Sequence, residues 1–306
     1  MQIIEQLAEL SPNQETMLTI GVFDGVHLGH QHLIEKLKEQ AAEKGLLSGV
    51  VTFREHPQEV LSPQTQLTFL SSLEERINLI RNLGIEFIAA LPFTLELAKL
   101  GTRQFISSIK EQLKMRGLVI GPDFALGRGR EGNAAVLSTL GQELGFTVTS
   151  VPYLMIEGHV VSSTLIREAL SCGDMKGVAR LLGRNFSLSG MVVTGDDRGR
   201  ALGFPTANIV PESNRALPAD GVYVTWARVD DEIYKSATNI GFSPTFGGRE
   251  RTVEVHLIDF SGDLYGRQLT IQFVERVRGE VRFTTPEELK RQIDSDVQRA
   301  RAILEW

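Results

Sequence analysis

Short apolar runs and helical runs take turns along the first three-fifths of this 306-residue chain, and that alternation restricts the fold more than any other feature. LTIGVF (18–23) reads as a short buried strand. QHLIEKLKEQAAEK (31–44) follows with apolar positions at Leu33, Ile34, Leu37 and Ala41, the spacing of one helix face. LLSGVVTF (46–53) is again β-like. SSLEERINLIRNLG (71–84) predicts a helix that opens with Ser72 and Glu75 at capping-box spacing and ends on Gly84. EFIAALP, RQFISSIKEQL, GLVIG, GNAAVLSTLGQELG and FTVTSVPYL continue as strand, helix, strand, helix and strand. Strands alternating with helices imply a doubly wound parallel sheet covered on both faces, with right-handed crossovers.

The pattern changes near residue 185. From 186 to 282 the chain is strand and turn with little helical period. GVYVTWARV, TVEVHLIDF and QLTIQFVERV alternate or nearly so, and Gly and Pro clusters separate them, which predicts a small antiparallel β-barrel. Thr285-Pro286-Glu287-Glu288 supplies an N-cap, a first-turn proline and a capping-box glutamate, so a terminal helix is expected to run to about Ile303. STLIREALSCG and DMKGVARLLG read as two short helices ahead of the barrel. The length exceeds one ordinary core. The expected domains are therefore 1–184, α/β, and 185–306, β-barrel plus helix.

No run of 18 apolar residues occurs, and the opening MQIIEQLAELSPNQE lacks the basic-then-apolar pattern of a signal peptide. Cys172 is the single cysteine, which excludes an internal disulfide and a thiolate zinc cluster. These readings favour the cytoplasm. The net charge is −6, shared evenly, with 17 basic and 20 acidic residues up to residue 185 and 15 and 18 beyond it. Neither part has the basic excess that binding a phosphate backbone needs. Macromolecular nucleic acid and membrane are not expected partners; a nucleotide is not excluded.

Three of the six histidines fall within six positions of TIGVFDGVHLGHQHLI (19–34). His27 and His30 follow a strand and precede a helix. Parallel sheets place ligands at the carboxyl ends of strands, and a helix N-terminus offers free N–H groups to an anion. Gly25 and Gly29 let a bulky ligand approach the backbone. Two imidazoles there suit a polyphosphate whose charge grows during transfer. A tight turn with incidental histidines is the competing reading. Zinc is disfavoured, since there is no HExxH and no nearby cysteine. His32 lies two residues past His30 and does not share its helix face.

GVFDGVHLGH resembles the HxGH nucleotidyltransferases, which join a nucleoside monophosphate to a phosphate-bearing acceptor and release pyrophosphate. VSSTLIR (161–167) is similar to their second motif, which holds ATP phosphates. The resemblance implies an ATP site formed by Gly21, Phe23, Asp24, Gly25, His27, His30, Ser163, Thr164 and Arg167, with His27 and His30 catalytic. The forked, fixed charge of Arg167 suits phosphate oxygens; taken alone, the stretch could equally be an ordinary capped helix. Gly127-Arg128-Gly129-Arg130-Glu131-Gly132 matches GxGxxG literally. The dinucleotide fingerprint requires those glycines directly after a strand, and here GPDFAL intervenes. GPDFALGRGREG instead resembles a nucleotide- and flavin-binding loop of the bacterial riboflavin enzymes, matched at Asp123 and Phe124. There is no Walker A motif.

MVVTGDDRGRALGFPTANI (191–209) joins a glycine-rich charged loop to Pro-Thr-Ala-Asn. Glycines let backbone N–H groups wrap phosphates, and Thr and Asn oxygens are hard ligands suited to magnesium. GDDRG by itself is compatible with a plain hairpin turn. The whole block resembles riboflavin kinase. The resemblance implies that Gly195, Gly199, Arg200 and Gly203 line ATP, while Thr206 and Asn208 bind magnesium and ATP. In TVEVHLIDF, Val253, Val255 and Leu257 alternate with Glu254 and His256, which share the opposite strand face. Pattern alone allows a solvated face. The resemblance makes Glu254 the base for the riboflavin 5′-hydroxyl and puts NIGFSPTFGG (239–248) near the ATP and flavin sites; we read that stretch as mainly structural.

From about residue 17 to 304 the chain is similar to the bacterial bifunctional riboflavin kinase/FAD synthetase family. That implies phosphorylation of riboflavin to FMN with release of ADP, then adenylylation of FMN to FAD with release of pyrophosphate, both from ATP with Mg2+. The alternative is a riboflavin kinase whose first domain serves another phosphorylated acceptor. Departures from the family pattern are Val22 for Asn or Thr, REHP (54–57) for Pro-His-Pro, and Asn185 for Pro.

Overall fold

The structure is a computed structural model that describes residues 7–62, 64, 67–195, 199, 202–242 and 251–305. The chain divides into two compact units, Met1–Ser162 and Ser163–Trp306.

The first unit carries the doubly wound sheet that the alternation predicts. Its strands are β1 (Thr16–Ile20), β2 (Leu47–Phe53), β3 (Phe87–Leu91), β4 (Met115–Ile120) and β7 (Thr147–Ser150). They lie in the order β3-β2-β1-β4-β7, all parallel. The chain winds outward from β1 to β3 and then returns to the other side of β1 with β4. The order therefore reverses between β1 and β4, where such sheets leave a crevice at the carboxyl ends of their strands. Helices α1 (Leu28–Lys44), α3 (Leu73–Asn82), α5 (Thr102–Gln112) and α6 (Ala134–Leu144) form between strands, with short α2 (Pro57–Leu61) and α4 (Leu95–Lys99). Leu18 and Ile20 pack with Ile106 and Leu137, whereas Met17 packs with Ile34, Leu37 and Ile80. Burying both faces explains why β1 and β2 read as nearly unbroken apolar runs.

The sequence expectations hold for these elements with three differences. Helix α1 starts at Leu28, three residues earlier than its apolar period, because His27 caps it. Helices α2 and α4 were not foreseen; five residues carry too little periodicity. FTVTSVPYL is strand only to Ser150, and a two-residue hairpin of β8 (Met155–Ile156) and β9 (His159–Val160) follows. A second small hairpin pairs β5 (Ala125–Leu126) with β6 (Gly132–Asn133).

The second unit opens with α7 (Ser163–Cys172) and α8 (Met175–Leu182). A closed antiparallel barrel follows, with β10 (Phe186–Val193), β11 (Ala207–Pro211), β12 (Gly221–Val229), β13 (Glu232–Phe242), β14 (Arg251–Leu257) and β15 (Gln268–Arg278) in the order β10-β11-β14-β13-β12-β15. The terminal helix α9 (Pro286–Ile303) ends where the sequence predicts, and the Thr285 side chain caps it. It lays Val297, Ala300 and Leu304 against Val224 and Ile258. Arg278 locks it further, with Nε and Nη2 donating to the buried Asp296 carboxylate at 3.0 and 2.8 Å.

Inside the barrel Leu188, Tyr223, Ile240, Val255 and Phe273 are fully buried, so alternate residues of each strand face outward. The β10–β11 crossing is tight. A Cβ on Gly190 would stand 2.5 Å from the Val210 carbonyl oxygen and 2.7 Å from its carbon. Gly190→Ala must push backbone apart, and overpacking of this kind costs about 1–3 kcal/mol. The expected result is an earlier urea-unfolding midpoint for the barrel unit. An unchanged midpoint would contradict the packing described.

Candidate functional site

The first candidate site lies at the switch point. Strand β1 stops at Ile20, and the next residues adopt a shape that side chains resist. Phe23 has φ 55°, Gly25 φ 77° and Val26 φ 40°. Positive φ at a β-branched valine is strained and persists only where surroundings over-determine it. Two buried groups do this. The Asp24 carboxylate accepts from the Leu70 N–H at 3.0 and 3.1 Å and from the Ser71 N–H at 3.2 Å. Ser71 Oγ in turn accepts from the Gly25 N–H at 2.9 Å. Arg76, 4 % exposed, donates from Nη1 to the Val22 carbonyl at 2.6 Å and from Nη2 to the Phe53 carbonyl at 2.8 Å. It ties together the carboxyl ends of β1 and β2.

The turn delivers His27 to the N-cap of α1. His27 Nδ1 accepts the His30 N–H at 3.2 Å, which leaves the ring proton on Nε2. The His27 and His30 rings stack at 3.6 Å, and the Phe23 ring meets the edge of His30 at 5.1 Å. Burial, then His27, then Arg76, hold the His30 imidazole well below its ordinary value, so it is neutral at pH 7. Its Nδ1 is enclosed with no protein partner among the described residues. The His30 ring is therefore uncharged in the free protein. A Cβ on Gly29 would stand 3.0 Å from the Val161 carbonyl, so this glycine admits the first residue of the VSSTLIR stretch. Ser163, Thr164 and Arg167 lie in the first two turns of α7 and open the second unit.

Across the crevice, β4 is followed by Gly121, and the Phe124 N–H closes a turn onto the Gly121 carbonyl. Arg130 Nη2 donates to the Asp123 carbonyl oxygen at 3.1 Å. The Tyr153 hydroxyl bonds the Asp123 carboxylate, which, with burial as the larger cause, raises the phenol's pKa. The GxGxxG look-alike has a local explanation. Cβ atoms on Gly127 and Gly132 would each stand 2.4 Å from a Thr102 side-chain atom, so these glycines pack the β5–β6 hairpin onto the start of α5. Val22 turns its side chain to the apolar cluster beside Phe53. In REHP, Glu55 accepts the Phe93 N–H at 2.7 Å, and His56 caps α2 ahead of Pro57.

The second candidate site lies on the outer face of the barrel. Asn208 on β11 stands opposite Glu254 on β14, which stands opposite Asn239 on β13. Their neighbours Ile209, Val253, Val255 and Ile240 point inward, so all three project from one outer face. The glycine loop folds onto this row. A Cβ on Gly195 would lie 1.9 Å from Asn208 Nδ2, and one on Gly199 would lie 2.4 Å from the Phe204 carbonyl oxygen and 3.2 Å from Thr206 Oγ1. Gly203 takes φ 91° in the turn before β11. Arg200 falls outside the described residues, as do positions 243–248 of NIGFSPTFGG.

Thr206 and Asn208 supply neutral oxygens beside the Glu254 carboxylate, a hard donor set that fits Mg2+ with most of its coordination left to phosphate and water. Gly195 and Gly199 pack directly against the Asn208 and Thr206 side chains, where any Cβ would collide, so the glycines keep the loop close to both oxygens. Among the described residues no group of three or more His, Cys, Asp and Glu is placed to hold a metal.

Sequence reasoning missed Arg76 and Tyr153 as neighbours of these sites, and it left Asn239, within NIGFSPTFGG, as mainly structural. Arg76 is 54 residues from Val22, and its position follows only from the tertiary fold. Asn239 lies in a stretch whose alternation was readable, but its partner depends on register.

A doubly wound unit with an HxGH turn at its switch point, followed by a barrel with a glycine loop beside a strand carboxylate, defines an enzyme built to handle nucleotide phosphates twice. Residues 9–165 match the FAD synthetase family model, and residues 182–304 match the riboflavin kinase family model. The chain is 36% identical to the bifunctional riboflavin kinase/FMN adenylyltransferase of Escherichia coli K12, over 98% of this chain and 97% of that one. The enzyme of the same description from Bacillus subtilis is 37% identical over 94% and 92%. A solved chain described as a macrolide-efflux protein from Streptococcus pneumoniae superimposes with TM-score 0.89 at 30% identity, covering 96% of both chains. This protein belongs to the bifunctional riboflavin kinase/FMN adenylyltransferase family.

Arg76 lies close enough to His30 to disfavour a second positive charge there. Arg76→Gln is expected to raise the pH at which His30 protonates, read from its imidazole NMR signal; an unmoved titration would contradict the electrostatic role. In the unfolded chain His30 takes a proton near pH 6.5, which the folded unit resists. His30 therefore favours the folded state above that pH, and this contribution falls as pH drops below it.

Proposed function

We propose that the first unit's loops and the barrel's outer face carry out two successive ATP reactions, riboflavin to FMN on residues 185–306 and FMN to FAD on residues 1–184. The observation that carries the reading is the pairing of Asn208 with Glu254 at the mouth of the glycine loop. Binding alone would need no carboxylate beside a phosphate cradle. The match of residues 9–165 to the FAD synthetase family favours FMN as the first domain's acceptor over another phosphorylated compound.

In the kinase reaction Glu254 takes the proton of the riboflavin 5′-hydroxyl. The hydroxyl oxygen bonds the γ-phosphorus, the bond to the bridging oxygen breaks, and ADP leaves. Gly195, Gly199, Arg200 and Gly203 line the nucleotide. Thr206 and Asn208 would hold magnesium, which supplies charge neutralisation to the phosphates. In the adenylyl reaction an FMN phosphate oxygen bonds the α-phosphorus of ATP and pyrophosphate leaves. His27 and His30 donate neutral N–H groups to the developing charge. We assign Gly21, Phe23 and Gly25 to the wall of the ATP site and place Asp24 behind the loop as its anchor. Ser163, Thr164 and Arg167 are assigned to the ATP phosphates by resemblance, and Asp123 and Phe124 to the nucleotide–flavin loop. We place both reactions in the cytoplasm, with small molecules rather than nucleic acid or membrane as partners. Among the described residues no helix is long and apolar enough to cross a membrane.

Flavin chromatography tests the division. Thr206→Ala and Asn208→Ala are expected to lower FMN formation from riboflavin steeply, to a small but measurable residue, and to spare FAD formation from supplied FMN; loss of both activities in folded protein would refute two sites. Glu254→Gln keeps shape but cannot accept a proton, and should lower FMN formation about 10²- to 10⁴-fold. Near-native turnover would reduce Glu254 to a strand residue. His27→Ala and His30→Ala should show the reverse selectivity, each costing FAD formation about 10²- to 10³-fold. His32→Ala should be nearly silent in the same assay, and equal damage there would favour a histidine metal cluster.

A further inference from the structure

We propose that His256 is a positioning residue for phosphoryl transfer, tethering the Pro205 carbonyl and so fixing the Thr206 hydroxyl at the nucleotide phosphates. The proposal rests on the reading that Thr206 is a nucleotide ligand. It starts from the register of the barrel. Strands β11 and β14 pair as Ala207 with Val255, Asn208 with Glu254 and Ile209 with Val253. Continued by one step, the register sets Thr206 opposite His256, but the main-chain ladder has stopped at Ala207. The backbone that presents Thr206 thus leaves its strand at the point where a ligand would pull on it.

The His256 side chain continues the ladder. Its Nδ1 lies 2.8 Å from the Pro205 carbonyl oxygen. A carbonyl can only accept, so Nδ1 carries the proton and the ring tautomer is fixed. The Phe204 ring meets the imidazole edge-on at 5.5 Å and 82°, which restrains the ring from its other side. Alternation along β14 puts His256 on the same outer face as Glu254, and its neighbour across β13 is the small Ala237.

The tether acts on more than one residue. Phe204 donates its N–H to the Gly199 carbonyl at 2.8 Å, and Leu202 donates to the same oxygen at 3.1 Å. Gly199 is in turn pressed against the Phe204 carbonyl and Thr206 Oγ1. Gly199, Phe204, Pro205 and Thr206 therefore form one connected unit, with its strand end held by His256. Releasing that end costs little stability, because water replaces the imidazole at the exposed Pro205. It costs aim, since ångström-scale misplacement of a positioning group lowers rate steeply.

The experiment uses the full-length enzyme and measures kcat and KM for MgATP in riboflavin phosphorylation. FAD formation from supplied FMN serves as the internal control for folding. His256→Ala is expected to raise KM for MgATP about tenfold and lower kcat/KM about 10- to 100-fold, with FAD formation unchanged. His256→Asn, which restores an N–H at nearly the Nδ1 position, should recover to within about threefold of wild type. In a Thr206→Ala background the His256→Ala change should add little, since both act through one hydroxyl. A wild-type KM in His256→Ala, an asparagine variant as impaired as the alanine one, or full additivity with Thr206→Ala would each overturn the proposal. If Thr206→Ala itself leaves KM for MgATP untouched, the reading of Thr206 as a nucleotide ligand fails first. Damage in Thr206→Ala without damage in His256→Ala refutes the tether alone.

Discussion

A buried guanidinium fixes the geometry on which the adenylyl site depends. Arg76 bonds the Val22 and Phe53 carbonyls, and Asp24, buried on the same turn, bonds Leu70 and Ser71. A hydrogen bond to a charged group contributes roughly 1.5–3 kcal/mol, and Arg76 makes two of them. That scale is enough to hold Phe23 and Val26 at positive φ, where strain costs about 1–3 kcal/mol per residue. The strained turn then sets His27 as the cap of α1 and stacks His30 on it. Burial and His27 do most to keep His30 neutral, and the same buried arginine adds to them, so Arg76 contributes both to the shape of the turn and to the charge state of His30.

The barrel meets the same chemical problem by other means. A glycine loop is laid against a row of outward side chains, Asn208, Glu254 and Asn239, set by strand register. Register is strongly specified here, because a one-residue slip would put Val253 and Val255 in water and Glu254 in the core. The packing that makes the barrel stable therefore also aims the carboxylate. In the first unit aim comes from a few buried polar contacts instead. The two sites should respond differently to mutation: the barrel site to changes of packing, the sheet site to loss of single hydrogen bonds.

Much of this was legible in the sequence. The alternation of strand and helix gave the parallel sheet, and the loss of helical period after residue 185 marked the barrel. Capping chemistry at Thr285 placed the last helix to the residue. The HxGH motif fell where β1 ends, because that is where backbone amides are free. What stayed hidden depends on distance along the chain. Nothing local to Arg76 says that it crosses to Val22, and Asn239 joins Glu254 only once β13 and β14 have paired. The ionisation state of His30 was hidden for the same reason, since it follows from burial and from a cation 46 positions away. Two local surprises, α2 and α4, are single-turn helices too short for a periodic signal.

The central claim is that one chain holds two chemically independent sites joined by a diffusible product. Mixing two inactivated proteins tests it most directly. Glu254→Gln and His30→Ala chains, each supplied with riboflavin and MgATP, should separately make almost no FAD. Combined in equal amounts they should make it at a rate that rises as FMN accumulates, because the His30→Ala chain supplies FMN and the Glu254→Gln chain adenylylates it. A mixture that makes no more FAD than the sum of its separate components would contradict the account.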